Sequence, residues 1–176
     1  MITEAYREEQ RKLHKNPNYG VMSVSFAPLV TQIIDAFEVT DLLDYGAGKG
    51  RLAKHITPNH AVSVSMYEPA NTDWDATPEP HEMVTCLDVL EHIEPEYLDE
   101  VLDDLQRVTK RIGLFSIHTG PAKKVLSDGR NAHLIQEPIE WWLPKIMERF
   151  KLKSMNATNN GFHVIVKVKN GNIDVQ

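Results

Sequence analysis

Hydrophobic positions along this chain change their period several times, and each change marks a predicted element. Phe26, Leu29, Val30, Ile33, Ile34 and Phe37 recur as one face of an amphipathic helix, with Pro28 tolerated in its first turn. Val39 to Tyr45 is instead a continuous apolar, strand-like run carrying an acidic residue at its end. Ala61 to Tyr67 reads as a second strand, because Val62, Val64 and Met66 alternate with Ser63 and Ser65 up to Glu68-Pro69. Met83 to Leu87 and Ile112 to His118 are further apolar runs of strand length. Between them, Leu98, Val101, Leu102, Leu105 and Val108 form the inward face of a helix from about Pro95 to Lys110. Ile139, Trp142, Leu143, Ile146, Met147 and Phe150 do the same for a helix over Pro138 to Phe150. Lys151 to Ala157 and Phe162 to Lys169 flank Asn160-Gly161, a hairpin signal. Strands alternating with helices predict an α/β domain with a mostly parallel sheet, closed here by a terminal antiparallel hairpin.

The N-terminal 25 residues read differently. Glu4 to Lys15 is charged and helix-like, and Asn16-Pro17-Asn18-Tyr19-Gly20 is a turn-rich break. A segment of this kind is suited to fold over a site as a lid. Residues 70–82 are polar with two prolines, too few to hold both a crossover helix and another strand. The third, edge strand of a full α/β sheet is therefore expected to be shortened or absent. A second copy of the chain, giving a homodimer, is one way to cover the exposed edge.

Composition narrows the class without naming a function. With 176 residues, 41% hydrophobic and 25% charged, the chain is expected to be a single domain, 1–176. No apolar run reaches the roughly 18 residues of a membrane span, and the charged N-terminus has no secretory pattern. The lone Cys86 excludes an internal disulfide and fits a reducing, cytoplasmic setting. A net charge of −6 argues against an extended nucleic-acid surface.

The chemistry concentrates at strand ends. Asp44-x-Gly46-x-Gly48-x-Gly50 joins the first strand to a helix-like stretch, Gly50 to Ile56. Glycines at such a junction allow positive φ and leave room for a ligand against the backbone. A phosphate-binding P-loop is excluded because no Gly-Lys-Ser/Thr follows, and the dinucleotide pattern G-x-G-x-x-G is not met. Glu68, at the tip of the second strand, stands where a βαβ nucleotide site holds a ribose diol. The glycine motif, Glu68 and the segment Met83-Val84-Thr85-Cys86-Leu87-Asp88-Val89-Leu90-Glu91-His92-Ile93 together resemble the class I S-adenosylmethionine (SAM)-dependent methyltransferases. The match is to the branch with a "VLEHI" fourth-strand motif, similar to quinone-pathway O-methyltransferases and small-RNA 3′-terminal 2′-O-methyltransferases.

That resemblance implies a Rossmann-like sheet with helices on both faces and SAM as cofactor. It assigns Asp44, Gly46, Gly48, Gly50, Glu68, Asp75, Leu87 and Asp88 to the cofactor, with Trp74 against the adenine. It also implies O-methylation of a small molecule or an exposed terminal nucleotide. His92 and His118 are the candidate catalytic residues. If a helix begins at Asp88, then Asp88, Glu91 and His92 share a face. By resemblance to the RNA enzymes, these three with His133 are candidate ligands of a divalent metal such as Mg²⁺. A pocket histidine without metal is the plainer reading of His92. Lys123, Lys124 and Arg130 lie after the fifth-strand segment, where they would meet an anionic acceptor or simply remain solvated. No Asp/Asn-Pro-Pro-Tyr/Phe and no Pro-Cys is present, which sets aside two DNA-methyltransferase chemistries. The alternatives are a SAM-consuming lyase or aminopropyl-type transferase on the same fold, and a non-catalytic SAM-binding partner subunit.

Overall fold

The computed structural model describes residues 2–16 and 22–169. Two helices open the chain, α1 (Glu4–His14) and the single turn α2 (Met22–Ser25), followed by α3 (Ala27–Phe37). The sheet then builds from β1 (Asp41–Tyr45), β2 (Ser63–Tyr67) and β3 (His81–Leu87). After α4 (Leu98–Val108) come β4 (Thr109–His118), α5 (Ile139–Arg149), β5 (Phe150–Thr158) and β6 (Gly161–Val168). Strand order is β2-β1-β3-β4-β6-β5, parallel from β2 to β4 and antiparallel at β6 and β5. This is the Rossmann-like methyltransferase sheet implied by the resemblance. The strand order reverses between β1 and β3, and a crevice opens there beyond the carboxyl ends.

Alternation along the strands divides the core into two layers. Leu43, Val84, Cys86, Phe115 and Ile117 pack with Val101, Leu102 and Leu105 of α4 and Trp142 and Ile146 of α5. Their neighbours Leu42, Met83, Ile112 and Leu114 turn to the opposite face, under Val30, Ile33 and Ile34 of α3. Helices therefore cover both faces, with two of the long helices on one and a single long helix on the other.

Two segments depart from a full-length pattern. The helix expected over Gly50 to Ile56 is only a single 3-10 turn, Leu52–Lys54. Between Gly50 and Pro58 there are too few residues to offset helix nucleation, and the residue before a proline is pushed out of the helical region. Residues 68–80 contain neither helix nor strand, so the third strand is absent as expected and β2 forms one edge of the sheet. The hairpin turn falls on Asn159-Asn160, one residue before the expected Asn-Gly. Gly161 instead opens β6, because a Cβ there would stand 2.0 Å from the Ile117 carbonyl oxygen.

α1 does not pack on the sheet. Tyr6 is buried with Leu126 and Ala132 of the β4–α5 connection. Glu9 accepts hydrogen bonds from the Ser127 amide and hydroxyl, and Glu94 accepts two from Thr3. The helix thus roofs the crevice by resting on a loop. No helix among the described residues is long and apolar enough to cross a membrane.

Burial separates the structural side chains from the incidental ones. Trp142→Ala is expected to cost about 3–5 kcal/mol, since it empties the centre of the α5 layer. Leu152→Ala, on the exposed outer strand, should stay within roughly 0.5 kcal/mol. Urea unfolding of the two variants checks both.

Candidate active site

The crevice is a cavity of about 900 Å³ whose floor is made by strand ends and whose roof is made by α1. Tyr45, Gly46, Ala47, Gly48, Glu68 and Asp88 line the end nearest β1. The opposite end holds His92, His118 and His133, the loop residues Lys123 and Lys124, and the Asn159-Asn160 turn. Tyr6, Gln10 and His14 close it from α1.

The glycine loop has the conformation its composition allows. Gly46, Gly48 and Gly50 have φ of +80°, +55° and +64°, all in the left-handed region. A Cβ on Gly46 would lie 2.4 Å from Val89 Cγ2, so glycine lets the ends of β1 and β3 approach. At Gly48 a Cβ would meet nothing within 4 Å, which leaves that stretch of backbone open to the cavity. Gly50 faces away from it, against Met66 and Trp74.

Glu68 ties the loop together. One of its oxygens accepts from the Gly48 amide at 3.0 Å and the other from the Ala70 amide at 3.1 Å. A carboxylate has about four acceptor positions, so two remain for a ligand's hydroxyls. Asp44 lies beneath the loop, 3% exposed, and does not line the cavity. Its Oδ1 accepts from the Thr85 hydroxyl at 2.9 Å, while the buried Oδ2 has no hydrogen-bond partner. Burial is the main reason its pKa rises from 3.8 to about 7.

The histidine end is built by the segment after β3 and the loop after β4. No helix begins at Asp88, which corrects the shared-face expectation. Asp88 itself adopts φ +54°, its Oδ1 accepts from the Ser116 hydroxyl at 2.7 Å, and a 3-10 turn follows over Leu90–His92. Glu91, His92 and His133 each nevertheless offer a ligand atom within 4.8 Å of the others. Asp88 lies outside that group. Glu91 is fully buried: Oε1 accepts from the His118 amide at 2.9 Å, and Oε2 has no hydrogen-bond partner. Burial pushes its carboxyl well above the usual range. The Nδ1 of His92 lies 2.7 Å from the Ala132 carbonyl, and that of His133 lies 2.7 Å from the Gly120 carbonyl. Each Nδ1 is therefore the donor, which leaves Nε2 with its lone pair. Burial, with the neighbouring His133 as a further cause, lowers the pKa of His92 to about 3, so its ring is neutral near pH 7. The His118 ring stands 4.8 Å from that of His133, centroid to centroid.

Comparison with known proteins agrees with this fold. A family model described as a methyltransferase domain matches residues 14–164. The chain belongs to that methyltransferase family. Among solved structures, this methyltransferase is similar to Burkholderia thailandensis 1,6-didemethyltoxoflavin-N1-methyltransferase, crystallised with bound 1,6-didemethyltoxoflavin and S-adenosylhomocysteine. The TM-score is 0.67 at 12% identity over 94% of this chain and 90% of that one. It is also similar to DhpI in its S-adenosylhomocysteine complex, with TM-score 0.64 at 15% identity, covering 96% and 99% of the two chains. An O-methyltransferase family protein from Burkholderia thailandensis gives TM-score 0.62 at 11% identity, covering 85% of this chain. This methyltransferase spans only 58% of the length of that protein. No curated protein matches the sequence.

Several expected site residues come together and some do not. Gly46, Gly48, Glu68, Leu87 and Asp88 share the cavity with His92, His118 and His133. Gly50 and Asp75 lie outside it, and Trp74 lines an adjoining hollow instead of the main cavity. Arg130 also lies outside, paired with Asp128 at 2.7 Å. Asn160 was legible only as part of an Asn-Gly turn, and nothing in the sequence singled out Asn159. Their place follows from β6 running antiparallel to β4, which sets the hairpin turn at the active-site end of the sheet.

The buried Asp44 carries a pH signature. Its folded pKa lies above its unfolded value, so its contribution to stability is full in acid, below about pH 4, and is lost as pH rises through about 7. Asp44→Asn should raise Tm relative to wild type at pH 8 and leave it unchanged at pH 3, as read by calorimetry. A variant that lowers Tm equally at both values would contradict this.

Proposed function

We propose that this methyltransferase moves the methyl group of SAM to an oxygen of a small molecule or an exposed terminal nucleotide. A divalent metal held by Glu91, His92 and His133 would assist at the acceptor. The observation that carries this reading is the donor cluster at the end of the cavity opposite the glycine loop, with both imidazole tautomers fixed by backbone carbonyls.

The residues present fit the cofactor. The open backbone at Gly48 offers a cradle that a side chain would fill. Glu68 keeps acceptor positions for ribose hydroxyls, and Asp44, beneath the glycine loop with its Oδ2 unpartnered, would be the nearest acceptor for the amino end of a methionine moiety, directly or through water. SAM supplies an electrophilic methyl group on a sulfonium. Transfer breaks the S–CH₃ bond, leaves its electron pair on sulfur as a neutral thioether, and forms a bond from the acceptor oxygen. The protein's chief task is then alignment, with acid or base help confined to an acceptor that must lose a proton.

The donor set also fits a metal, since the Glu91 Oε2 has no hydrogen-bond partner and the two Nε2 lone pairs are set by hydrogen bonds at Nδ1. Bound there, a divalent cation would polarise acceptor oxygens and ease deprotonation. Two imidazoles and one carboxylate are softer than the oxygen shell Mg²⁺ favours, so Mn²⁺ and Zn²⁺ belong beside Mg²⁺ in the test. His118, which lines the same cavity, would receive a hydroxyl proton from the acceptor.

Calorimetric titration of SAM and S-adenosylhomocysteine, with NAD as control, tests the first half. Both sulfur ligands should bind and NAD should not, and Glu68→Ala should weaken them at least about tenfold, roughly the worth of one or two lost hydrogen bonds. A folded protein that binds neither would end the reading. For the second half, His92→Ala should leave SAM affinity within about twofold, the loss sitting in turnover and metal affinity. Mn²⁺ binding followed by electron paramagnetic resonance should fall at least about tenfold. Undiminished Mn²⁺ binding would remove the metal.

A further inference from the structure

The far half of the cavity has a charge pattern that differs from the rest of the molecule. The chain carries 25 acidic against 19 basic residues, yet among the described residues only two carboxylates line the cavity, Glu68 and Asp88. Both stand at strand ends on the cofactor side, and both already accept hydrogen bonds, from Gly48 and Ala70 and from Ser116. The far side, made by the loop after β4, the histidines and the hairpin turn, has no lining carboxylate among the described residues. It has two fixed cations instead, Lys123 and Lys124, and neither forms an ion pair within the described chain. Arg130, the third cation of that loop, is neutralised by Asp128 outside the cavity.

The loop holding these lysines is braced. Asn131 Oδ1 accepts from the Ala122 amide at 2.9 Å and its amide group donates to the Ala122 carbonyl at 2.9 Å. The Ala132 amide donates to the Lys124 carbonyl at 3.0 Å, and the Thr119 amide donates to the Asn160 carbonyl at 3.0 Å. The two lysines therefore rise from a backbone tied both to the His133 segment and to the hairpin turn. An adjoining hollow that shares His14 and Gly48 with the cavity is lined by Lys15, Lys49 and Arg11, of which Arg11 is paired with Glu4 and Glu8 at 3.4 Å each, so only the two lysines continue the same sign.

From this we infer that the methyl acceptor is a small oxyanion, a carboxylate or phosphate compound, whose anionic group is held by Lys123 and Lys124 beside the Asn159-Asn160 turn. The inference rests on the methyltransferase reading of the same cavity and names its substrate class. Lysine suits the task as a point charge with three donors, and the asparagine amides supply neutral hydrogen bonds beside it. A partly enclosed cavity strengthens such contacts relative to open water. The positive rim also raises the local concentration of an anion around a protein whose net charge is −6.

The test uses the full chain saturated with S-adenosylhomocysteine and follows backbone amides by nuclear magnetic resonance. Sodium phosphate and sodium acetate are the probes, with acetamide as the neutral counterpart, all at low ionic strength. Saturable shifts confined to Thr119–Lys124 and Asn159–Asn160 are expected for phosphate or acetate and not for acetamide. Which anion saturates first separates a phosphate handle from a carboxylate one. The double variant Lys123→Ser/Lys124→Ser should weaken that binding at least about tenfold, while Lys151→Ser/Lys153→Ser on the outer strand should leave it unchanged. Retained S-adenosylhomocysteine affinity in both variants shows that they fold. Binding of neither anion, binding indifferent to Lys123 and Lys124, or preference for acetamide overturns the inference. Failure of S-adenosylhomocysteine itself to bind would instead sink the underlying reading, and this inference with it.

Discussion

The close approach of Gly46 to Val89 sets the geometry on which the rest of the site depends. The strand order reverses between β1 and β3, and the chain must turn there with almost no room. Gly46 provides that turn, and the amides of Gly46 and Ala47 both donate to the Tyr67 carbonyl at the tip of β2. Three strand ends are thereby locked into one floor. Glu68 completes the lock from the side by accepting the Gly48 amide. A larger residue at position 46 would part β1 from β3, and every group that faces the cavity would move with them.

On that floor the protein holds two carboxylates where water cannot reach them. Asp44 and Glu91 are both buried, each with one oxygen hydrogen-bonded and the other lacking such a partner. Such groups are costly to bury, and a core built only for stability would have replaced them. They persist at the two ends of one cavity, beside the glycine loop and beside the histidines. Strain against local rules at a functional site is the pattern expected when binding, not folding, selects the residue.

The scaffold around this site is spare. The 3-10 turn over Leu52–Lys54 replaces a helix, and residues 68–80 replace a helix and a strand. The lost cover over the crevice is supplied from elsewhere, by α1 and the β4–α5 loop resting on each other through Tyr6, Leu126 and Ala132. Because that loop also carries Lys123, Lys124 and His133, the roof and the far wall of the cavity are one structural unit.

The sequence by itself determined the long helices and the strands, the family and the floor of the site. Periodicities of two and 3.6 are local properties, and the glycine spacing, Glu68 and the Asp88–His92 segment sit at strand ends that such periodicities locate. It determined the missing strand too, because chain length between elements is a hard limit. What only tertiary structure decided is which of those residues meet. Spacing placed Asp88 with Glu91 and His92 on one face, but the left-handed backbone at Asp88 hands its carboxylate to Ser116 and leaves Glu91 and His92 to His133, from the loop after β4. Asp75 and Gly50 fell outside the cavity, and Asn159 and Asn160 entered it, through the crossing of strands that are distant in sequence. Backbone handedness, register and burial are set by contacts between distant segments, and no local pattern records them.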